Sequence, residues 1–100
     1  MPLQVTMQAL ADPVRREILN MLKKQSLTAG EIAAAFSISA PAVSRHLAVL
    51  KRAGLLLCER EGKHVRYILS TSVLEDVLCF LMDLKGGASV QEDCGRQKLV

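Results

Sequence analysis

The stretch Thr28-Ala29-Gly30-Glu31-Ile32-Ala33-Ala34-Ala35-Phe36-Ser37-Ile38-Ser39-Ala40-Pro41-Ala42-Val43-Ser44-Arg45-His46-Leu47-Ala48-Val49-Leu50-Lys51-Arg52-Ala53-Gly54 decides the fold. Thr28 and Glu31 stand in the S/T-x-x-E relation of a capping box, in which hydroxyl and carboxylate each satisfy a backbone N–H that the helix start would otherwise leave unpaired. A helix therefore starts near Ala29, and it is short, because Ser37-Ile38-Ser39 interrupts after about two turns. Ser39 is itself an N-cap, Pro41 fits the first turn of the next helix, and Gly54 supplies the left-handed residue that stops it after Arg52. Two helices joined by a brief turn, the second capped by Ser, are the outline of a helix-turn-helix.

Working upstream, Asp12-Pro13 opens another helix, with Asp12 as cap and Val14, Ile18, Leu19 and Leu22 on its buried face. Before it, Leu3, Met7 and Leu10 lie on one face of a short first helix. Downstream, Leu55 to Glu61 and His64 to Ser70 are β-prone segments flanking Gly62-Lys63, which reads as a hairpin with a charged tip. Val65, Tyr67 and Leu69 alternate with His64, Arg66 and Ile68, so one face packs on the helices and the other presents charge. From about Ser72 to Leu84 a last helix carries Val73, Val77, Phe80, Leu81 and Leu84 in one stripe that Leu74, Leu78 and Met82 widen. That apolar arc covers about half the circumference, more than one small domain hides, and predicts a dimer interface.

The expected fold is therefore mainly α with a small β-hairpin, in the order α-α-α-α-β-β-α, a winged helix-turn-helix acting as a homodimer. Residues 1–85 form the binding and dimerisation domain. Residues 86–100, which lose periodicity after Lys85-Gly86-Gly87, form a flexible tail. The expected dimer contacts are Leu3, Met7, Leu10, Val73, Leu74, Val77, Leu78, Leu81 and Met82.

Composition agrees with packed helices. Among 100 residues half are apolar, yet there is no Trp, one Tyr and two Phe, so the core is aliphatic. The net charge is +3, unevenly spread: residues 1–66 hold ten Lys/Arg against five Asp/Glu, and residues 67–100 hold three against five. A basic front implies an anionic partner. No apolar run approaches the roughly 20 residues of a membrane span, and the N-terminus lacks a signal-peptide layout, so the expected location is cytoplasmic, with no membrane partner. Cys58, Cys79 and Cys94 are widely separated, without metal-type spacing, and read as reduced thiols.

On a helical wheel Val43, Leu47 and Leu50 cluster within about 60° and face the core, while Arg45 points outward beside the small Ala40, Ala42 and Ala48. A protruding Arg can bond guanine O6 and N7 bidentately, and a nearby Ser44 adapts to several bases or to phosphate. Arg45 is thus the first choice for base contact. His46, at the edge of the core face, either reaches a phosphate or fills the interhelix boundary. Arg60, Lys63, His64 and Arg66 gather at the hairpin tip, a density suited to flanking phosphates or an adjacent minor groove. Lys51 and Arg52 are weaker candidates, as are Arg15 and Arg16, since charged helix faces are usually just solvated.

These residues carry a recognisable pattern. Ala11-Asp12-Pro13-Val14-Arg15-Arg16-Glu17-Ile18-Leu19, Thr28 to Ala33, Ser39 to Leu55 and Glu61-Gly62-Lys63-His64-Val65-Arg66-Tyr67 resemble the ArsR family of winged-helix repressors, in particular its autorepressor branch. The resemblance covers residues 5 to about 84. It implies a dimer joined through the first and last helices that binds a palindromic double-stranded operator and represses its own operon. Ser39, Ser44, Arg45 and His46 match the family's DNA-reading positions, with Ala40 and Arg52 on the same helix, and Arg60, Lys63 and His64 match the wing.

The sequence departs from metal-sensing members, which carry a Cys-x-Cys type cluster where this chain has Glu31-Ile32-Ala33-Ala34-Ala35-Phe36, or an Asp/His set along the last helix. Alanines supply no thiolate or imidazole, so no metal or cofactor is expected. Some members sense oxidants through paired cysteines, which leaves Cys58/Cys79 as an alternative redox switch. A winged helix serving protein interaction is a further alternative, although the charges at Arg45, Arg52 and Arg66 count against it. An enzyme is not expected: there is no His-Asp-Ser set, no phosphate-cradling Gly loop and no paired buried carboxylates. A small-molecule inducer, if one exists, is not legible.

Overall fold

A computed structural model describes residues 3–86. In chain order the elements are α1 (Leu3–Leu10), α2 (Pro13–Lys24), β1 (Leu27–Thr28), α3 (Ala29–Ala34), α4 (Ala40–Arg52), β2 (Leu56–Glu61), β3 (His64–Leu69) and α5 (Ser72–Gly86). The expected flexible tail, and Cys94 in it, lie outside the described residues, apart from Gly86, which closes α5.

The local signals act where the sequence puts them. Asp12 Oδ1 accepts from the N–H of Val14 at 2.8 Å and of Arg15 at 3.2 Å, opening α2. At α3 the capping box is complete: Thr28 N–H donates to Glu31 Oε1 at 2.9 Å and Glu31 N–H to Thr28 Oγ1 at 3.2 Å. Ser39 Oγ accepts from Ala42 N–H at 3.2 Å to open α4.

The end of α4 is a Schellman motif, with Leu55 N–H bonded to Leu50 O and Gly54 N–H to Lys51 O, both at 3.0 Å. Leu50 and Leu55, brought together by that turn, are both fully buried. Gly54 has φ 81°, and a Cβ there would stand 2.8 Å from Val73 Cγ2. The residue therefore serves both the turn and the approach of α5.

The sheet is one strand wider than the expected hairpin. β1 pairs antiparallel with β3 (Leu27 opposite Tyr67, Thr28 opposite Arg66), and β3 pairs antiparallel with β2 from Leu56↔Leu69 to Glu61↔His64, giving the order β1-β3-β2. The short strand continues straight into the Thr28 cap, so sheet edge and helix start share a residue.

The core is aliphatic, built from Ala9, Ile18, Leu22, Ile32, Val43, Leu47, Leu50, Ala53, Leu55 and Leu56. It joins α1, α2, α3, α4 and β2, and so fixes the α3–turn–α4 unit against the rest. Helix α1 enters the core through Thr6 and Ala9, whose small side chains let the short helix approach closely, and the face of Leu3, Met7 and Leu10 expected at a dimer contact is not among the fully buried residues. Met7 is exposed, and Leu10 packs at the core's margin.

Helix α5 divides along its length. Val73, Leu74 and Val77 pack against the body, whereas Leu78, Phe80, Leu81, Met82 and Leu84 are 41–69% exposed. Between α1 and α5 a cleft of about 240 Å³ is lined by Leu3, Thr6, Val73, Asp76, Val77 and Phe80. No described helix is long and apolar enough to cross a membrane.

Candidate nucleic-acid interface

Helix α4 is held by one face and bare on the other. Val43, Leu47 and Leu50 are each no more than 1% exposed, while Ser39, Ala40, Pro41, Ser44, Arg45, Ala48, Lys51 and Arg52 are exposed. The Arg45 side chain therefore leaves the surface from the middle of a rigid element, flanked by small residues that keep nothing in its way. Ser39 Oγ uses one lone pair to accept at the cap, and its O–H is still a donor.

The basic residues fall into two groups. Arg15, Arg16 and Arg66 are engaged inside the protein. The last carbonyls of α1 have no partners within their own helix. Arg15 Nε donates to Ala9 O at 2.8 Å and Nη2 to Gln8 O at 3.0 Å, and Arg16 Nη1 donates to Leu10 O at 2.8 Å. Positive charge at a helix C-terminus also complements its dipole. Arg66 Nε donates to Glu61 Oε1 at 3.0 Å, and its Nη1 donates to Ser26 O at 3.1 Å while lying 4.0 Å from Glu31 Oε1.

Those two carboxylates make the only ion pairs among the described residues, both with Arg66. Arg45, Lys51, Arg52, Arg60 and Lys63 accordingly have no carboxylate partner there, and each stands exposed. The expectation that Arg66 shares the hairpin tip's outward charge is thus revised. It braces β3 against the start of α3 and against β2, leaving Arg60 and Lys63 as the tip's outward charges, with His64 exposed beside them. Gly62, at φ 62° with nothing near its missing Cβ, lets the tip turn in open space.

His46 lies at the interhelix boundary by its Nδ1 edge. It is half-buried, with Nδ1 lying 3.3 Å from Arg15 Nη1. The nearby Asp12 carboxyl feels desolvation that would raise its pKa. The N–H groups of Arg15 and Val14 outweigh that, helped by the charges of His46 and Arg15, and hold it below its ordinary value. Glu31 is held below its ordinary value by the Thr28 N–H first, against desolvation, with help from the Arg66 charge.

Among the described residues no group of three or more His, Cys, Asp or Glu is placed to hold a metal. Cys58 is half-buried in β2 opposite Tyr67, and Cys79 is exposed on α5.

The Ser-capped helix with an unpaired Arg on its outer face lies within a stretch that known proteins share. A family model described as "Bacterial regulatory protein, arsR family" matches residues 12–56, which run from the α2 cap through α4 to the start of β2. The transcriptional repressor SdpR of Bacillus subtilis is 42% identical over 76 residues, spanning 76% of this chain and 84% of SdpR.

The chain belongs to the ArsR family of bacterial regulatory proteins.

The family is one of transcriptional regulators, not enzymes. The HTH-type transcriptional regulator CmtR of Mycobacterium tuberculosis is 34% identical over 87 residues, 87% of this chain and 74% of CmtR. Among solved structures, an ArsR-like transcriptional regulator from Rhodococcus sp. RHA1 superimposes with a TM-score of 0.81 at 27% identity, covering 85% of this chain and 78% of that one. HlyU from Vibrio cholerae gives 0.66 at 34% identity, covering 81% and 88%. This ArsR-family chain therefore has the winged helix-turn-helix fold, with β2 and β3 as the wing.

Proposed function

We propose that this ArsR-family chain is a homodimeric repressor that binds a palindromic double-stranded operator and regulates its own operon. The observation that carries the reading is Arg45, exposed and without a carboxylate partner at the middle of α4, whose opposite face is locked in the core. Arg45 enters the major groove to bond guanine O6 and N7, with Ser44 beside it. Ser39 and Ala40 at the start of α4, and Arg52 at its end, approach the backbone. Arg60, Lys63 and His64 on the wing engage flanking phosphates.

Dimerisation is supported by the exposed apolar half of α5, namely Leu78, Phe80, Leu81, Met82 and Leu84, together with Met7 of α1 and the open cleft between the two helices. Of the expected dimer residues, Leu10, Val73, Leu74 and Val77 already pack within the subunit and Leu3 lines the cleft, so Met7, Leu78, Leu81 and Met82 carry the contact, with Leu3 at its edge. Repression rests on the likeness to the repressor SdpR, and HlyU, named an activator, shows that the fold also serves activation. The protein-interaction alternative fits less well, since the exposed apolar residues are on α5 and not on α4.

The experiment is a titration of the duplex upstream of the chain's own gene at 50 and 200 mM salt, for wild type and Arg45→Ala. A dimer engaging about six to ten phosphates loses roughly 10³- to 10⁵-fold in affinity across that range. Removing Arg45 costs about 1–3 kcal/mol per half-site and relaxes sequence preference. Binding indifferent to both salt and Arg45 overturns the reading.

A further inference from the structure

The Arg15 guanidinium joins three elements that the proposed function uses separately. From the first turn of α2 it reaches the C-terminal carbonyls of α1, Gln8 O at 3.0 Å and Ala9 O at 2.8 Å, and with its remaining nitrogen it lies 3.3 Å from Nδ1 of His46 on α4. A guanidinium offers donors only, so at that contact the imidazole nitrogen is the acceptor. The ring proton of the neutral histidine is then confined to Nε2. The ring is half-exposed, and among the described residues its only hydrogen-bond contact is the one with Arg15. Its Nε2–H is thus a donor held ready on the DNA-facing helix.

We infer that Arg15 is a positioning residue for DNA recognition: without touching the duplex, it fixes His46 in the Nε2–H form and ties α4 to the end of the dimerisation helix α1. The inference rests on the DNA-binding reading above. Its contacts argue against the alternative, a phosphate-binding role for Arg15, because all three of its guanidinium nitrogens face protein acceptors. The planar fork matters as much as the charge, since an ammonium on a flexible stem cannot hold three diverging acceptors in fixed directions.

The two roles separate in an experiment that reads free protein and complex side by side. Ring ¹⁵N spectra of the free wild-type protein are expected to show His46 as the Nε2–H tautomer, and Arg15→Met and Arg15→Lys to show a mixture of tautomers. Affinity for the upstream duplex is expected to fall about tenfold in both variants, with the salt slope unchanged, because no phosphate contact is lost. In a His46→Ala background, Arg15→Met is expected to cost no more than about twofold, the signature of a shared interaction.

Arg16→Met, which loses only the Leu10 carbonyl, controls for the fraying of α1. It lowers thermal stability while leaving duplex affinity within about twofold below the melting transition. Retention of affinity by Arg15→Lys, with a salt slope reduced by about one in Arg15→Met, would mark a direct phosphate contact and overturn the proposal. An Nδ1–H tautomer in the wild type, or additive effects in the cycle, would overturn it as well. Wild-type protein that ignores duplex DNA would sink the proposed function instead, with the tautomer spectra still reporting on the Arg15–His46 contact.

Discussion

Gly54 shows how one residue position can serve two elements. Its φ of 81° is costly for an L side chain, and an added methyl would meet Val73 Cγ2 at 2.8 Å. Gly54→Ala is therefore expected to destabilise the fold by about 1–3 kcal/mol, read as a lower urea midpoint at an unchanged slope. The turn was legible from sequence, since Gly after a helical run is its usual stop. The approach of Val73, nineteen positions away, was not.

Glu31 gives a pH dependence of definite sign. Its carboxyl is held below the ordinary 4.5 by the Thr28 N–H, so the folded state favours the ionised form more than the unfolded chain does. That contribution is complete above about pH 4.5 and drains away as the pH falls through the lower folded value. Glu31→Gln is expected to flatten the acid limb of a stability-versus-pH curve measured by urea unfolding. The same residue scale marks the limit of sequence reading for the arginines. Arg15, Arg16 and Arg66 look no different in sequence from Arg45 and Arg52. Their acceptors are six, seven and thirty-one residues away for Arg15, six for Arg16, and five and forty for Arg66, and only the folded chain brings these sets together.

Among the elements, α2, α3, α4, both wing strands and α5 were legible because each carries its own cap or periodicity. β1 was not, since two residues have no period, and its strand character comes entirely from Tyr67 and Arg66 across the sheet. In α1 the small Thr6 and Ala9, which no apolar spacing singles out, sit where the helix is closest to the core. For α5 the breadth of the apolar arc was the useful signal, and the structure adds where it divides. Leu81, 45% exposed on its outer half, makes no essential contribution to the subunit's own core. Leu81→Glu is accordingly expected to leave the helical circular dichroism of the subunit intact and to shift sedimentation from dimer to monomer, with duplex affinity falling at least tenfold because two half-sites are no longer read together. A variant that remains dimeric would move the interface elsewhere.

At the scale of the whole molecule, α5 is anchored to the body mainly by its first half, through Val73, Leu74 and Val77, so that its second half offers apolar surface to the proposed second subunit. The candidate site is local by comparison: the exposed face of α4 and the wing tip are assembled from residues 39–64, and caps and alternation in the sequence fix which way those elements turn. What the sequence could not supply was the sorting of cations into internal braces and outward charges without a carboxylate partner among the described residues, which is a property of the assembled structure.

The central claim is that two copies of Arg45 read guanines in successive major grooves of one duplex. Methylation interference tests it most directly, because a methyl group on guanine N7 occupies the acceptor that Arg45 needs. On the duplex from upstream of the chain's own gene, interference is expected at two symmetry-related guanine positions about 10 base pairs apart, one helical turn, and both are expected to vanish with Arg45→Ala while backbone protection persists. Interference that is absent, confined to one position, or unchanged in the variant would contradict the account.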